Sequence, residues 1–147
     1  MIKQVLKKLL TAAVIAGSLL SVGVGQIYAS DTTDKYFNFT FEGGFGNSYA
    51  QTEYRAKYDT SSVYKKIGTW SNSGESYNAW VMINSSVAVS SSYYFDEDKV
   101  NVPTYMINYA VEKYGSPISI KILGEMSSNW NPCVVTGVWS PDSVGGP

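Results

Sequence analysis

The sequence predicts an all-β domain, a single antiparallel β-sandwich or barrel of about seven strands with one short helix near 103–114. Three observations carry this. Apolar and polar residues alternate with a period of two in several short runs. Clusters of Gly, Ser, Asn and Asp separate those runs. A single segment carries apolar residues at helical spacing.

The elements follow in order. Asp31 to Lys35 reads as a loose polar leader. Phe37, Phe39 and Phe41 alternate with Asn38, Thr40 and Glu42, the pattern of a half-buried strand over 36–42. Gly43 to Ser48 is turn chemistry. A second strand is expected over 51–58, with Thr52, Tyr54, Ala56 and Tyr58 on one face. A third spans 62–67 through Val63, Tyr64 and Ile67, followed by a loop over 68–76. Tyr77, Ala79, Val81 and Ile83 define a fourth, and Trp80 and Met82 on its other face mark it as central. Val87 and Val89, set among serines, give a weaker fifth within 85–94. Pro103 suits a first helical position, Ile107, Ala110, Val111 and Tyr114 form a stripe, and Gly115 and Pro117 stop the helix. Ile118, Ile120 and Ile122, then Val134 to Trp139, close the chain as two further strands.

Residues 1–29 have the layout of a secretory signal peptide. Lys3, Lys7 and Lys8 precede an apolar run from Leu9 to Val24, and Gln26-Ile27-Tyr28-Ala29 offers a cleavage site. The apolar run is short for a membrane span, which needs roughly 20 residues. Ile27 is larger than the preferred residue there, so the cut has latitude of about one or two residues. The mature chain, 30–147, is then one β-rich domain, secreted and extracellular. Eight Lys and Arg remain against twelve Asp and Glu, a net charge of −4. No further apolar stretch is long enough to span a membrane. The acidic balance argues against nucleic acid as a partner.

Composition closes several chemistries. The chain has no histidine, so it holds no Ser-His-Asp triad, no Cys-His dyad and no imidazole metal ligand. Its one cysteine, Cys133, pairs with nothing within the chain; it reads as a small buried hydrophobe or as half of a disulfide between chains. There is no Gly-x-Ser-x-Gly elbow and no phosphate-binding loop. Scattered acids such as Glu42, Glu53, Glu75 and Glu125 give no carboxylate pair that sequence places across a cleft. Asp96, Glu97 and Asp98 are weak calcium candidates, set against the plainer reading of a solvated turn. The expectation is a monomer that is not an enzyme and carries no cofactor.

Aromatics are the remaining signal. Trp70 and Trp130 sit in polar sequence beside Ser71-Asn72 and between Asn129 and Asn131. Rings so placed suit stacking on sugars or anchoring a protein. They are the candidate binding residues for a cell-wall glycan or an envelope protein. The competing function is a secreted effector, a bacteriocin-like antagonist of neighbouring cells.

Three segments carry a family resemblance. They are Tyr54-Arg55-Ala56-Lys57 with Asp59-Thr60-Ser61-Ser62-Val63-Tyr64, the trio Asn108, Glu112 and Gly115, and the ending Thr136-Gly137-Val138-Trp139-Ser140-Pro141-Asp142-Ser143-Val144. Together they resemble a family of small secreted proteins of Gram-positive bacteria, and the ending is the specific part. The resemblance implies export from a single-membrane cell and brings no activity or catalytic residue with it. Cys133 departs from the family pattern. In the ending, Pro141 and Asp142 are turn residues, and Trp139 reads as a plug over the sheet end.

Overall fold

The computed structural model describes residues 29–44, 46–127 and 131–145. In chain order the strands are β1 (Lys35–Phe41), β2 (Asn47–Gln51), β3 (Arg55–Lys57), β4 (Val63–Trp70), β5 (Tyr77–Met82), β6 (Tyr93–Phe95), β7 (Pro103–Met106), β8 (Ile118–Ser127) and β9 (Cys133–Ser140). A 3-10 turn spans Glu97–Lys99, and one helix, α1, spans Ala110–Tyr114. Among the described residues the strands make two antiparallel sheets, β1-β9-β4-β7 and β2-β8-β5-β6, with β3 also on β8. The architecture is therefore a sandwich, with somewhat more strands than the sequence predicts. No helix of the described residues is long and apolar enough to cross a membrane.

Alternation builds the core. Phe37, Phe39 and Phe41 turn inward from β1, and Ile120, Ile122 and Met126 face them from β8. Tyr77 is the hub between layers, 5.9 Å from Phe39, 5.1 Å from Phe41 and 5.2 Å from Phe95 between ring centroids. Gly124 lets the two layers close, and Gly137 lets neighbouring strands of one sheet approach. A Cβ on Gly124 would sit 3.0 Å from the Phe39 ring, and one on Gly137 would sit 2.1 Å from the Lys66 carbonyl oxygen. Cys133 is fully buried in the same core, and burial pushes its thiol pKa up.

Three expectations need correction. The helix begins at Ala110, not Pro103, because 103–106 pairs with β4 as edge strand β7, with Tyr105 opposite Tyr64. Proline is tolerated on a sheet edge. Within the expected stripe only Ala110 is buried, while Ile107 and Tyr114 are half exposed. The single strand expected over 51–58 is split into β2 and β3. Three residues, 52–54, face two, 121–122, between the pairs Gln51↔Leu123 and Arg55↔Ile120. Thr52 bridges that bulge: its N–H donates to the Ile122 carbonyl at 3.0 Å, and its Oγ1 accepts the Ile122 N–H at 2.9 Å. Finally, the leader is not loose, since Asp31 is bound from several sides.

Candidate functional site

The resemblance segments lie far apart in sequence and meet at one end of the sandwich. Lys57, the last residue of β3, points under the turn that follows β9. Its Nζ lies 2.8 Å from the Pro141 carbonyl oxygen, 3.0 Å from Asp142 Oδ1 and 3.8 Å from Asp59 Oδ1. Lys57 and Asp142 are both fully buried. The Asp142 carboxylate also accepts the backbone N–H groups of Asp31 at 2.7 Å, Tyr58 at 3.2 Å and Asp59 at 3.4 Å. A buried carboxylate of this kind is tolerated because each lone pair finds a donor. Arg55 extends the network outward. It donates to Asp31 Oδ2 at 2.8 Å and to the Trp139 carbonyl at 2.9 Å, and lies 5.2 Å from the Trp139 ring centroid.

The remaining residues of the segments tighten the same knot. Ser61 bonds the Asp59 carboxylate through its N–H and its hydroxyl, and its Oγ accepts the Ser143 N–H at 2.9 Å. Burial opposes the Asp59 charge, but hydrogen bonds from Ser61 and Ser30 outweigh it and hold its pKa at about 2. Asn108, buried before α1, donates to the Ser61 carbonyl at 3.4 Å and the Met106 carbonyl at 3.2 Å. The Ser116 hydroxyl reaches the Tyr58 carbonyl at 2.6 Å. Trp139 is 2% exposed and packed in the core beneath Arg55.

Beside the knot lies an open depression of about 370 Å³. Its walls include Thr32, Asp34, Tyr64, Tyr105, Ser143 and Val144. Tyr64 and Tyr105 are cross-strand partners on β4 and β7, with ring centroids 5.7 Å apart and planes at 55°. Burial first, then the Asp34 carboxylate and the Tyr105 hydroxyl, push the Tyr64 pKa up. The Tyr64 hydroxyl is thus available as a donor beside a carboxylate acceptor. The volume falls toward the lower end of small-ligand sites, roughly 300–1,000 Å³.

Sequence reasoning singled out other residues. Trp70 lies at the end of β4, half-buried. One face stacks on Tyr77 at 5.7 Å, and its Nε1–H donates to the Asn72 carbonyl at 2.8 Å. Trp130 lies outside the described residues. Asp96 precedes the 3-10 turn with its Oδ1 buried and without a hydrogen-bond partner, whereas Glu97 and Asp98 are exposed. Among the described residues no three His, Cys, Asp or Glu side chains converge to hold a metal ion. Asp34, Tyr64 and Tyr105 were missed as a group because three separate elements supply them. Their pairing depends on β7 being a strand, which the helical spacing hides.

A second buried amine pairs with no carboxylate among the described residues. Lys65 on β4 is fully buried, with its Nζ 4.3–4.9 Å from the ring centroids of Phe37, Phe39, Tyr77 and Phe95. It hydrogen-bonds the Tyr77 hydroxyl. Burial drives its pKa well below the usual lysine value and that of Tyr77 well above the usual tyrosine value.

No curated protein and no solved structure matches the chain. One family model spans most of the chain and includes every residue of the knot. The model of the family described as protein of unknown function (DUF2712) covers residues 25–143, and the chain belongs to that family.

Proposed function

We propose that this protein is a non-catalytic binding module exported by a Gram-positive cell, and that it holds an envelope carbohydrate in the depression between Tyr64, Tyr105 and Asp34. The observation that carries the reading is the tilted tyrosine pair beside a carboxylate in an open hollow. Aromatic faces stack on the apolar face of a sugar ring. A carboxylate accepts its hydroxyls, while two phenols and the Thr32 and Ser143 side chains supply further polar partners. Lys57 and Lys65 are fully buried, and the Asp142 carboxylate, which borders the depression, is taken up by Lys57 and by the backbone N–H groups of Asp31, Tyr58 and Asp59. This supports binding over catalysis. Trp70 is a weaker candidate than the tyrosine pair, because Tyr77 already covers one of its faces.

Co-sedimentation tests this directly. The mature chain, 30–147, is expected to pellet with stripped cell walls, with calcium or with a chelator alike. The double variant Tyr64→Ala, Tyr105→Ala should lose at least about tenfold in affinity, as removal of two well-placed rings predicts. Equal pelleting of that variant moves the site elsewhere. A parent protein that stays in the supernatant removes wall binding and brings the diffusible effector forward.

A further inference from the structure

Lys57 and Asp142 meet as two reactants would. The amine lies 3.0 Å from Asp142 Oδ1, and both side chains are fully shielded from solvent. They are 85 positions apart in sequence and join β3 to the turn after β9. An ion pair needs two partners, yet a third acid is at hand. Asp59 Oδ1 lies 3.8 Å from the same Nζ, on a side chain that reaches solvent. The two oxygens of Asp142 are also held differently. Oδ1 faces Lys57, with longer contacts from the Tyr58 and Asp59 N–H groups at 3.3 and 3.4 Å. Oδ2 takes the Asp31 N–H at 2.7 Å and the Tyr58 N–H at 3.2 Å, a donor cradle of the kind that holds a developing oxyanion. Lys65 is the contrast within the same molecule. It is equally buried, but it faces rings and a hydroxyl and pairs with no carboxyl group among the described residues.

We propose that Lys57 and Asp142 condense after folding, so that an amide bond from Lys57 Nζ to Asp142 Cγ locks β3 to the end of β9, with Asp59 as the proton carrier. The step balances without a co-reactant. The ammonium passes one proton to Oδ1 across their hydrogen bond, leaving a neutral amine and a neutral acid. The nitrogen lone pair attacks Cγ, and the displaced carbonyl electrons rest on Oδ2 in its cradle. The attacking nitrogen then gives a proton to Asp59, which delivers it to the Oδ1 hydroxyl. That oxygen departs as water, the carbonyl re-forms at Oδ2, and Asp59 is a carboxylate again. An ammonium and a carboxylate have become an amide and one water, with nothing oxidised or reduced. Asp59 suits the role because its pKa of about 2 keeps it ionised and quick to hand a proton on.

The same condensation is unfavourable between free groups in water. Here the fold holds the reactants at an effective concentration of about 10⁵ M or more, as oriented intramolecular partners reach. The N–H left on the amide keeps the Pro141 carbonyl, 2.8 Å away, as its acceptor. The bond would constrain the chain as a long-range disulfide does, in a protein whose one cysteine is free.

Intact mass of the folded full chain tests this. The parent is expected to be lighter than its sequence by one water. Trypsin should then release a branched peptide joining 56–65 to 122–147, since an acylated Lys57 resists cleavage. Lys57→Arg should keep the full mass. Asp59→Asn leaves both reactants in place, so it separates a missing bond from a missing fold. In chain dissolved from inclusion bodies in urea and diluted to fold, that variant should lose its water about a hundredfold more slowly than the parent. A folded parent at full mass overturns the proposal. Water loss without the branched peptide also overturns it, as the mark of an imide at a single acid. Equal rates in the parent and Asp59→Asn overturn the role given to Asp59.

Discussion

Two lysines are buried to the same degree in this sandwich and are accommodated in opposite ways. Lys57 lies 3.0 Å from the equally buried carboxylate of Asp142 and also donates to a backbone carbonyl. Lys65 has four aromatic rings and one tyrosine hydroxyl, and no acid among the described residues. In the first case the amine faces a carboxylate. In the second, burial favours the neutral amine, and the rings supply packing and an electron-rich wall. The first amine ties its own segment to the turn after β9, and through Asp142 to Asp31. The second only fills the core. Burial alone therefore says little about what a lysine contributes; the partner decides it.

Breaking the matched pair should have the largest effect. Lys57→Met leaves Asp142 buried without its cation, and is expected to cost about 3–5 kcal/mol in urea unfolding. The same substitution at Lys65 should act in the opposite direction. Lys65→Met is expected to stabilise by about 1 kcal/mol or more at pH 7, since the unfolded chain no longer has to give up a proton to bury that side chain. The sign can be followed with pH. The folded pKa of Lys65 lies below its unfolded value, near 10.4, so between the two the unfolded state binds more protons and parental stability rises with pH. The advantage of Lys65→Met should therefore shrink toward pH 10, where loss of the Tyr77 hydrogen bond begins to count. Parallel urea melts at pH 7 and pH 10 measure both.

Smaller effects are expected at the rim of the knot. Arg55→Lys loses the forked donation to Asp31 and Trp139 and is expected to cost about 1 kcal/mol by the same unfolding assay. Asp59→Asn should matter least near neutrality, because that side chain is 42% exposed. Its signature lies in acid. The folded pKa is about 2 against an ordinary 3.8, so the parent loses this contribution as pH falls from about 4 toward 2, and the variant does not.

Much of the fold was legible in the sequence, for a simple reason. Where one face of a strand is buried, alternation reports it, as at Phe37, Phe39 and Phe41. Where a side chain departs from its type, the same rule still places it. Val63, Lys65 and Ile67 alternate, so Lys65 had to share their buried face, although its charge argues against the position. The segment 103–114 was misread because a helical stripe and a short edge strand can share one apolar pattern. Pairing with β4 decides between them, and no local signal reports a partner 40 residues away. The knot was half legible. Its residues belong to the segments that carry the family resemblance, and the turn chemistry of Pro141 and Asp142 was plain. That Asp142 should meet Lys57 follows from sheet order, which alternation does not encode. The tyrosine pair was hidden for the same reason.

Lys57 and Asp142 form a coupled pair that closes the sandwich. A double-mutant cycle with Lys57→Met, Asp142→Asn and the combined variant, read by urea unfolding at pH 7, tests it most directly. Asparagine keeps an acceptor for the backbone donors while removing the charge. A coupling energy of about 2 kcal/mol or more is expected. Additive single effects, with coupling near zero, would contradict it.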